Sequence, residues 1–150
     1  MMIYTPMTNR ALRLAADAHR GQTDKAGMPY LLHPFHLAEQ MTDEISVCVA
    51  LLHDVVEDSS VTFAQLEQEF PPEVTGPVRL LTHEKGTDYL AYVRALRSDP
   101  VARTVKLADL AHNEDEGRFA GCEDLNAEEL ARRRKKYAAA RLILLQTESS

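Results

Sequence analysis

The chain has 150 residues, 45% of them hydrophobic, which is enough to bury a core in one domain and far from the composition of a disordered segment. Its net charge of −6 argues against nucleic-acid binding through a non-specific basic surface, although a few local cations can still meet a small anionic ligand. No apolar run is long enough to cross a bilayer, and the N-terminal MMIYTPMTNR lacks the basic-then-apolar order of a leader, so a cytoplasmic protein with no membrane partner is expected.

Thr8 or Asn9 is expected to cap a first helix running to about Gln22, with Leu12, Ala15, Ala16 and Ala18 or His19 inward and Gly21 ending it. His19 reads as a packed core histidine. Residues 23–32, TDKAGMPYLL, form a loop or short tight hairpin punctuated by Gly27 and Pro29, suited to lie over a ligand. The next helix starts at about His33-Pro34, where proline fits a first turn, and continues to Met41 with Phe35, Leu37 and Ala38 inside. His33 therefore sits at a helix start, placed to point into a cleft.

Residues 45–58, ISVCVALLHDVVED, are the centre of the chain. Capped by Thr42 or Asp43, the segment opens with residues that are apolar or small on every side, as in a helix buried on all faces. Cys48 lies there as a small buried thiol; Cys122 is remote from it, the two match no metal-binding spacing, and a reduced state is expected. His53, Asp54, Glu57 and Asp58 then arrive together. At about 100° per residue they span roughly 140° of a continuous helix. One imidazole and three carboxylates on one side repel and lose hydration unless a cation or a water-filled cleft offsets them.

Thr62 with Gln65 is a capping box opening a helix to about Phe70, and Glu73 to Thr82 follows Pro71-Pro72 as a helix interrupted or bent near Gly76-Pro77. His83, in the polar turn HEKGTD, reads as a surface residue. Thr87 or Asp88 starts a helix through Leu96, and Asp99-Pro100 opens another, VARTVKLADLAHN, buried through Val101, Val105, Leu107, Ala108 and Ala111. Asp109 is then an acid in apolar company that needs a partner, and a metal would be one. Glu114 to Asn126 reads as an acidic loop, and a last helix runs from about Ala127 to Gln146. Its RRRKK run is a solvated face complementing that loop; a second reading sets one of these cations, or Tyr137, against a substrate phosphate. No segment alternates as a strand does, so the fold class is all-α.

His33, His53, Asp54 and Asp109 together make a mixed nitrogen and oxygen set suited to Mn²⁺, Fe²⁺ or Zn²⁺. The order H…HD…D resembles the HD-domain metal-dependent phosphohydrolases. AHRGQTDKAGMPYLLHP, ALLHDVVEDSSVT and VKLADLAHN are similar to the hydrolase domain of the RelA/SpoT homologues, which remove the 3′-pyrophosphate of the alarmone ppGpp. With no synthetase segment following, the chain looks most like the stand-alone small alarmone hydrolases. The resemblance implies an HD-domain helical bundle, with residues 1–150 a single hydrolase domain. It implies that His33, His53, Asp54 and Asp109 hold one Mn²⁺, that Glu57 and Asp58 are the catalytic acidic pair polarising the attacking water, and that Lys25 and Asn113 line the pocket of a small nucleotide substrate. Chemistry agrees with those roles: a divalent ion lowers the pKa of bound water, and carboxylates a helical turn away can orient it or accept its proton during in-line attack at phosphorus.

Several positions depart from the family's pattern. Asp24 stands where an arginine that stacks on guanine is usual, Ala26 replaces a serine, Met28 a glutamate and Leu110 an arginine; Asn113 is followed by Glu114, Asp115 and Glu116. Asp24 removes a stacking partner and sets a negative charge near a polyanion, so Asp24→Arg is expected to tighten guanine-nucleotide binding. The alternatives kept open are an HD phosphohydrolase acting on another phosphorylated nucleotide, such as a nucleoside monophosphate or a phosphorylated dinucleotide cofactor, or a non-catalytic metal- or nucleotide-binding module.

Overall fold

The computed structural model describes residues 1–119 and 126–146; Cys122 and part of the expected acidic loop lie outside them. Among the described residues the fold is helical, with an isolated bridge between Thr23 and Pro29 and no named strand. In chain order the helices are α1 (Pro6–Ala18), α2 (Leu32–Glu39), α3 (Glu44–Leu52), α4 (Val55–Asp58), α5 (Phe63–Glu69), α6 (Pro72–Leu81), α7 (Tyr89–Leu96), α8 (Pro100–Glu114) and α9 (Ala127–Leu145), with a 3₁₀ turn at Glu116–Phe119 between the last two. None is long and apolar enough to cross a membrane.

Helix α3 is the hub. Val47 to Leu52 are all fully buried, because α1, α2, α6 and α8 pack around it and leave it no solvent face. Truncating a residue such as Leu51 would remove its transfer energy and leave a cavity, at a cost of about 2–5 kcal/mol. Asp43 caps α3 by accepting from the Ser46 amide at 2.8 Å. The expected caps at Thr62 with Gln65, Asp88 and Asp99 form as well, each satisfying amide groups that a helix start leaves unpaired.

Four expectations change. The first helix begins at Pro6, since Thr5 and Thr8 form a reciprocal capping box, and its buried face is Thr8, Ala11 and Ala15, with His19 following at the C-cap. Helix α6 runs through Gly76-Pro77 uninterrupted, with Val74, Val78 and Leu81 buried on both sides of the proline. Most consequential, residues 45–58 are not one helix: α3 ends at Leu52, His53 and Asp54 form a turn, and α4 starts anew at Val55. The His53 Nδ1–H donates to the Ala50 carbonyl at 2.6 Å, competing for the acceptor that the Asp54 amide would use in a continuous helix. The turn displaces the His53 and Asp54 side chains from the register of Glu57 and Asp58. On α8, Ala111 is exposed, whereas Lys106 and Asp109 are buried.

Candidate functional site

The site forms where α2, the turn after α3, and α8 meet. His33 enters from the first turn of α2, His53 from the C-cap of α3 and Asp109 from the middle of α8. All three are buried, and one ligand atom from each lies within 4.8 Å of the others. His33 Nε2 is 2.8 Å from Asp109 Oδ1, and His53 Nε2 is 3.0 Å from Asp54 Oδ2 and 3.8 Å from Asp109 Oδ1. Asp54 stands beside the cluster, where its Oδ2 also accepts the Tyr30 hydroxyl.

These residues fit a divalent cation. His53 Nδ1 is committed to the Ala50 carbonyl, so the proton of the neutral ring sits there and Nε2 presents a lone pair. That Nε2 is buried and makes no hydrogen bond, although two carboxylates flank it. His33 is held in the same manner: its Nδ1 meets His112 Nδ1 at 2.7 Å. The His112 imidazole titrates low, at about 4, because of partial burial and the nearby charges of Arg118, His33 and His36. His112 is therefore neutral, and where it accepts from His33 Nδ1–H the His33 Nε2 lone pair is free for a cation beside Asp109 Oδ1. Two imidazole lone pairs facing carboxylate oxygens are stable only with a proton or a metal between them. Burial opposes charge on His53, yet Asp54 and Asp109 outweigh it and raise its pKa well above the ordinary value, as a group holding a proton in a cation's place should behave.

Lys106, one turn before Asp109 on α8, is buried with Nζ 3.0 Å from Asp109 Oδ2 and near the rings of Tyr89 and Tyr92. Burial disfavours its charge, but Asp109 holds it protonated; reciprocally, Lys106 and the two histidines outweigh burial and keep the Asp109 carboxyl well below the usual range. Asp109 Oδ1 also accepts from Asn113 Nδ2 at 3.1 Å, so the expected pocket residue touches the candidate metal-ligand set directly.

Glu57 and Asp58 stand exposed on α4, and neither lines the cavity beside His33. The Glu57 carboxylate accepts the backbone N–H of His83, whose ring stacks on Tyr92 at 4.6 Å and whose Nε2 meets the Thr87 carbonyl at 2.7 Å. His83 is thus not a plain surface residue; it anchors Glu57. Gln22 anchors the other acid, its Nε2 donating to the Asp58 backbone carbonyl at 2.7 Å. The Gln22 Oε1 accepts from His19 Nδ1 at 2.9 Å, and His19 is buried as expected, its Nε2 without a hydrogen bond among the described residues. Partial burial and the charge of Asp54 raise both the Glu57 and Asp58 carboxyls above the usual range, against the His83 amide at Glu57 and the nearby histidines at Asp58.

A cavity of about 270 Å³ opens from His33 and is lined by Lys25, Asn113, Arg118, Arg133 and Tyr137. The side chain of Asp24 organises the expected tight loop: Oδ1 accepts the amides of Ala26 at 2.8 Å and Met28 at 3.0 Å, and Gly27 adopts a φ of +80°. Its Oδ2 faces Arg118 Nη2 at 3.4 Å, which offsets the negative charge that the sequence alone suggested would oppose a polyanion. Lys25 Nζ pairs with Glu129 at 2.9 Å, and the basic run of α9 divides its contacts: Arg134 pairs with Glu116, while Arg133 lies over Phe119 and Tyr137. Sequence reasoning missed Tyr30, Lys106, His112 and Arg118. Only Lys106 carried a local signal, its i,i+3 spacing to Asp109.

Comparison with known proteins agrees with this geometry. The chain is 34% identical over 122 residues to the GTP pyrophosphokinase rsh of Brucella melitensis, covering 71% of this chain and 16% of that protein. It is 34% identical over 119 residues to the bifunctional (p)ppGpp synthase/hydrolase SpoT of Escherichia coli K12, covering 69% of this chain and 17% of that one. It thus spans about a sixth of the length of these curated relatives. A solved structure of a metazoan ortholog of SpoT, described as hydrolysing ppGpp and acting in starvation responses, superposes with a TM-score of 0.82 at 26% identity, over 99% of this chain and 91% of that one. The family model described as HD domain matches residues 11–115, from α1 through the His33, His53 and Asp109 cluster to the end of α8, and the chain belongs to the HD-domain family.

Proposed function

We propose that this chain is a metal-dependent pyrophosphohydrolase that removes the 3′-pyrophosphate of ppGpp, with residues 1–150 acting as one hydrolase domain and Mn²⁺ as its metal. The observation that carries the reading is the convergence of His33, His53 and Asp109, with His33 also bordering a cation- and aromatic-lined cavity, in a chain similar to ppGpp hydrolases.

His33, His53, Asp54 and Asp109 would hold the ion, which when bound supplies a lowered water pKa and neutralises charge developing on phosphoryl oxygens. The rest is the work of this chain's own side chains. Glu57, fixed by the His83 amide, and Asp58, fixed through Gln22, orient the attacking water and accept its proton. Their raised pKa values make them better proton acceptors than ordinary surface carboxylates. Water attacks the 3′-phosphorus in line, the bond from phosphorus to the ribose 3′-oxygen breaks, and GDP and pyrophosphate leave. Lys25, Arg133 and Asn113 line the space for the nucleotide.

Another cavity, about 730 Å³, shares Asp58 with the site and is lined by Arg10 and Arg13. The smaller cavity is the better nucleotide pocket because it borders His33 and Asn113, both in contact with Asp109 Oδ1. Asp24 alone would favour a different phosphorylated nucleotide, but Arg118 beside it offsets its charge. The presence of both anchored acids weighs against a non-catalytic module. Metal-stripped protein resupplied with Mn²⁺ and given ppGpp, a phosphorylated dinucleotide and a nucleoside monophosphate is expected to act on ppGpp. Turnover of another member of the panel, with ppGpp untouched, would assign the cleft to a different substrate.

A further inference from the structure

Arg118 reaches the cleft from the 3₁₀ turn after α8, and it is restrained at both ends of its guanidinium. Nη1 donates to the His112 carbonyl at 2.8 Å, and Nη2 faces Asp24 Oδ2 at 3.4 Å. Both side chains of the ion pair are largely removed from solvent, at 18% and 16% exposure. Asp24 is itself fixed, because its other oxygen is taken by the Ala26 and Met28 amides. The pair belongs to the walls of two adjoining cavities, the one of about 270 Å³ beside Lys25 and Tyr137 and one of about 570 Å³ beside His36 and His112.

A guanidinium whose charge is offset by a carboxylate and whose donors are committed at its edges is a weak phosphate ligand. One side of its plane lies over the Phe119 ring, 5.6 Å from the centroid, and what it still offers is the other flat, weakly hydrated face, of the kind that stacks on nucleobases. Arg133, another cation of the same cavity, is the better candidate for phosphate oxygens. We propose that Arg118 is the base-stacking residue of this cleft, held in place by Asp24 as its positioning residue, and that the purine of the substrate lies against its face. The inference rests on the ppGpp reading of the cleft and adds to it the residue that recognises the base. It also accounts for an aspartate in the loop where the resemblance leads one to expect the stacking arginine: the arginine comes instead from a residue 94 positions later in the chain.

The two products separate base from phosphate recognition, since GDP carries a purine and inorganic pyrophosphate does not. The experiment measures inhibition of ppGpp hydrolysis by each, in the wild type and in Arg118→Ala, Arg118→Lys and Asp24→Asn. Asp24→Asn keeps the acceptor for the loop amides, and metal content of each variant reports an intact centre. Arg118→Ala is expected to raise the Ki of GDP about tenfold, the scale of one base–side-chain stack, while the Ki of pyrophosphate stays put. Arg118→Lys should behave as Arg118→Ala, because an ammonium keeps the charge and loses the plane. Equal rises for both inhibitors, or rescue by lysine, would make Arg118 a phosphate ligand and overturn the proposal; so would an unchanged Ki for GDP in a metal-replete Arg118→Ala. A wild-type protein inert toward ppGpp would instead overturn the underlying substrate reading, and the inference with it.

Discussion

His33 and Asp109 meet Nε2 to Oδ1 at 2.8 Å, with only 5% and 9% of their side chains exposed, at a point that His53 also faces. A metal between that nitrogen and the carboxylate oxygen would take the place of their direct contact, so the candidate ligand set should be separable from the rest of the fold by substitution. Asp109→Asn, close to isosteric, is expected to reduce stoichiometric Mn²⁺ to background in elemental analysis of folded protein. Undiminished metal content would remove Asp109 from the set.

The acidic pair is expected to behave differently. Replacing Glu57 and Asp58 together by Gln and Asn leaves the three buried ligands untouched, so metal content should hold while ppGpp hydrolysis falls by about 10²-fold or more, the scale of general-base catalysis. A double variant that still turns over at the wild-type rate would take both residues out of the mechanism.

The pH profile follows from the same pair. Both carboxyls ionise above the ordinary carboxylate value of about 4, through partial burial and the charge of Asp54. The ionised form is the one that accepts a proton, so hydrolysis should be lost as pH falls through the raised pKa values and regained as it rises through them. At saturating Mn²⁺ the acid limb of kcat is therefore expected above the ordinary range, and a limb at or below about 4 would contradict the assignment.

Lys106 and Asp109 provide a prediction with two readouts of opposite sign. Lys106→Met leaves Asp109 buried beside one cation fewer, and the metal-free protein should lose about 3 kcal/mol, as when a buried pair is broken from one side. A bound ion then faces less positive charge, so the rise in Tm on adding Mn²⁺ should exceed that of the wild type. Unchanged stability without metal would show that the pair contributes nothing to the fold.

His112 is expected to act through His33. His112→Ala removes the acceptor that fixes the His33 tautomer and should weaken metal affinity about 10- to 100-fold, read by competition with a metallochromic chelator. Affinity equal to wild type would mean that His33 is oriented without it.

What could be read from the sequence divides by range. Caps at Asp43, Thr62, Asp88 and Asp99 were legible because each accepts from the amide three residues on, and the proline after Asp99 marks the first turn of α8. His33, His53 and Asp109 were legible as polar residues in apolar surroundings, and the structure brings those three together with Asp54 beside them. The break at His53–Asp54 was not, since hydrophobic periodicity carries no record of an imidazole competing for the Ala50 carbonyl. Nor was Arg118 as the partner of Asp24, because it lies in an irregular turn brought back only by the packing of α8 and α9. That contact also reverses one expectation: Asp24→Arg would set a second cation against Arg118 and strip the Ala26 and Met28 amides of their acceptor, so weaker rather than tighter guanine-nucleotide binding is expected.

The most direct test of the account is the fate of water oxygen in ppGpp hydrolysis. Metal-stripped protein reloaded with Mn²⁺ would be incubated with ppGpp in ¹⁸O-labelled water and the products resolved by mass spectrometry. Attack at the 3′-phosphorus predicts GDP without label and pyrophosphate carrying one labelled oxygen, with no reaction before metal is restored. Release of orthophosphate, label in GDP, or full activity in the stripped protein would contradict it.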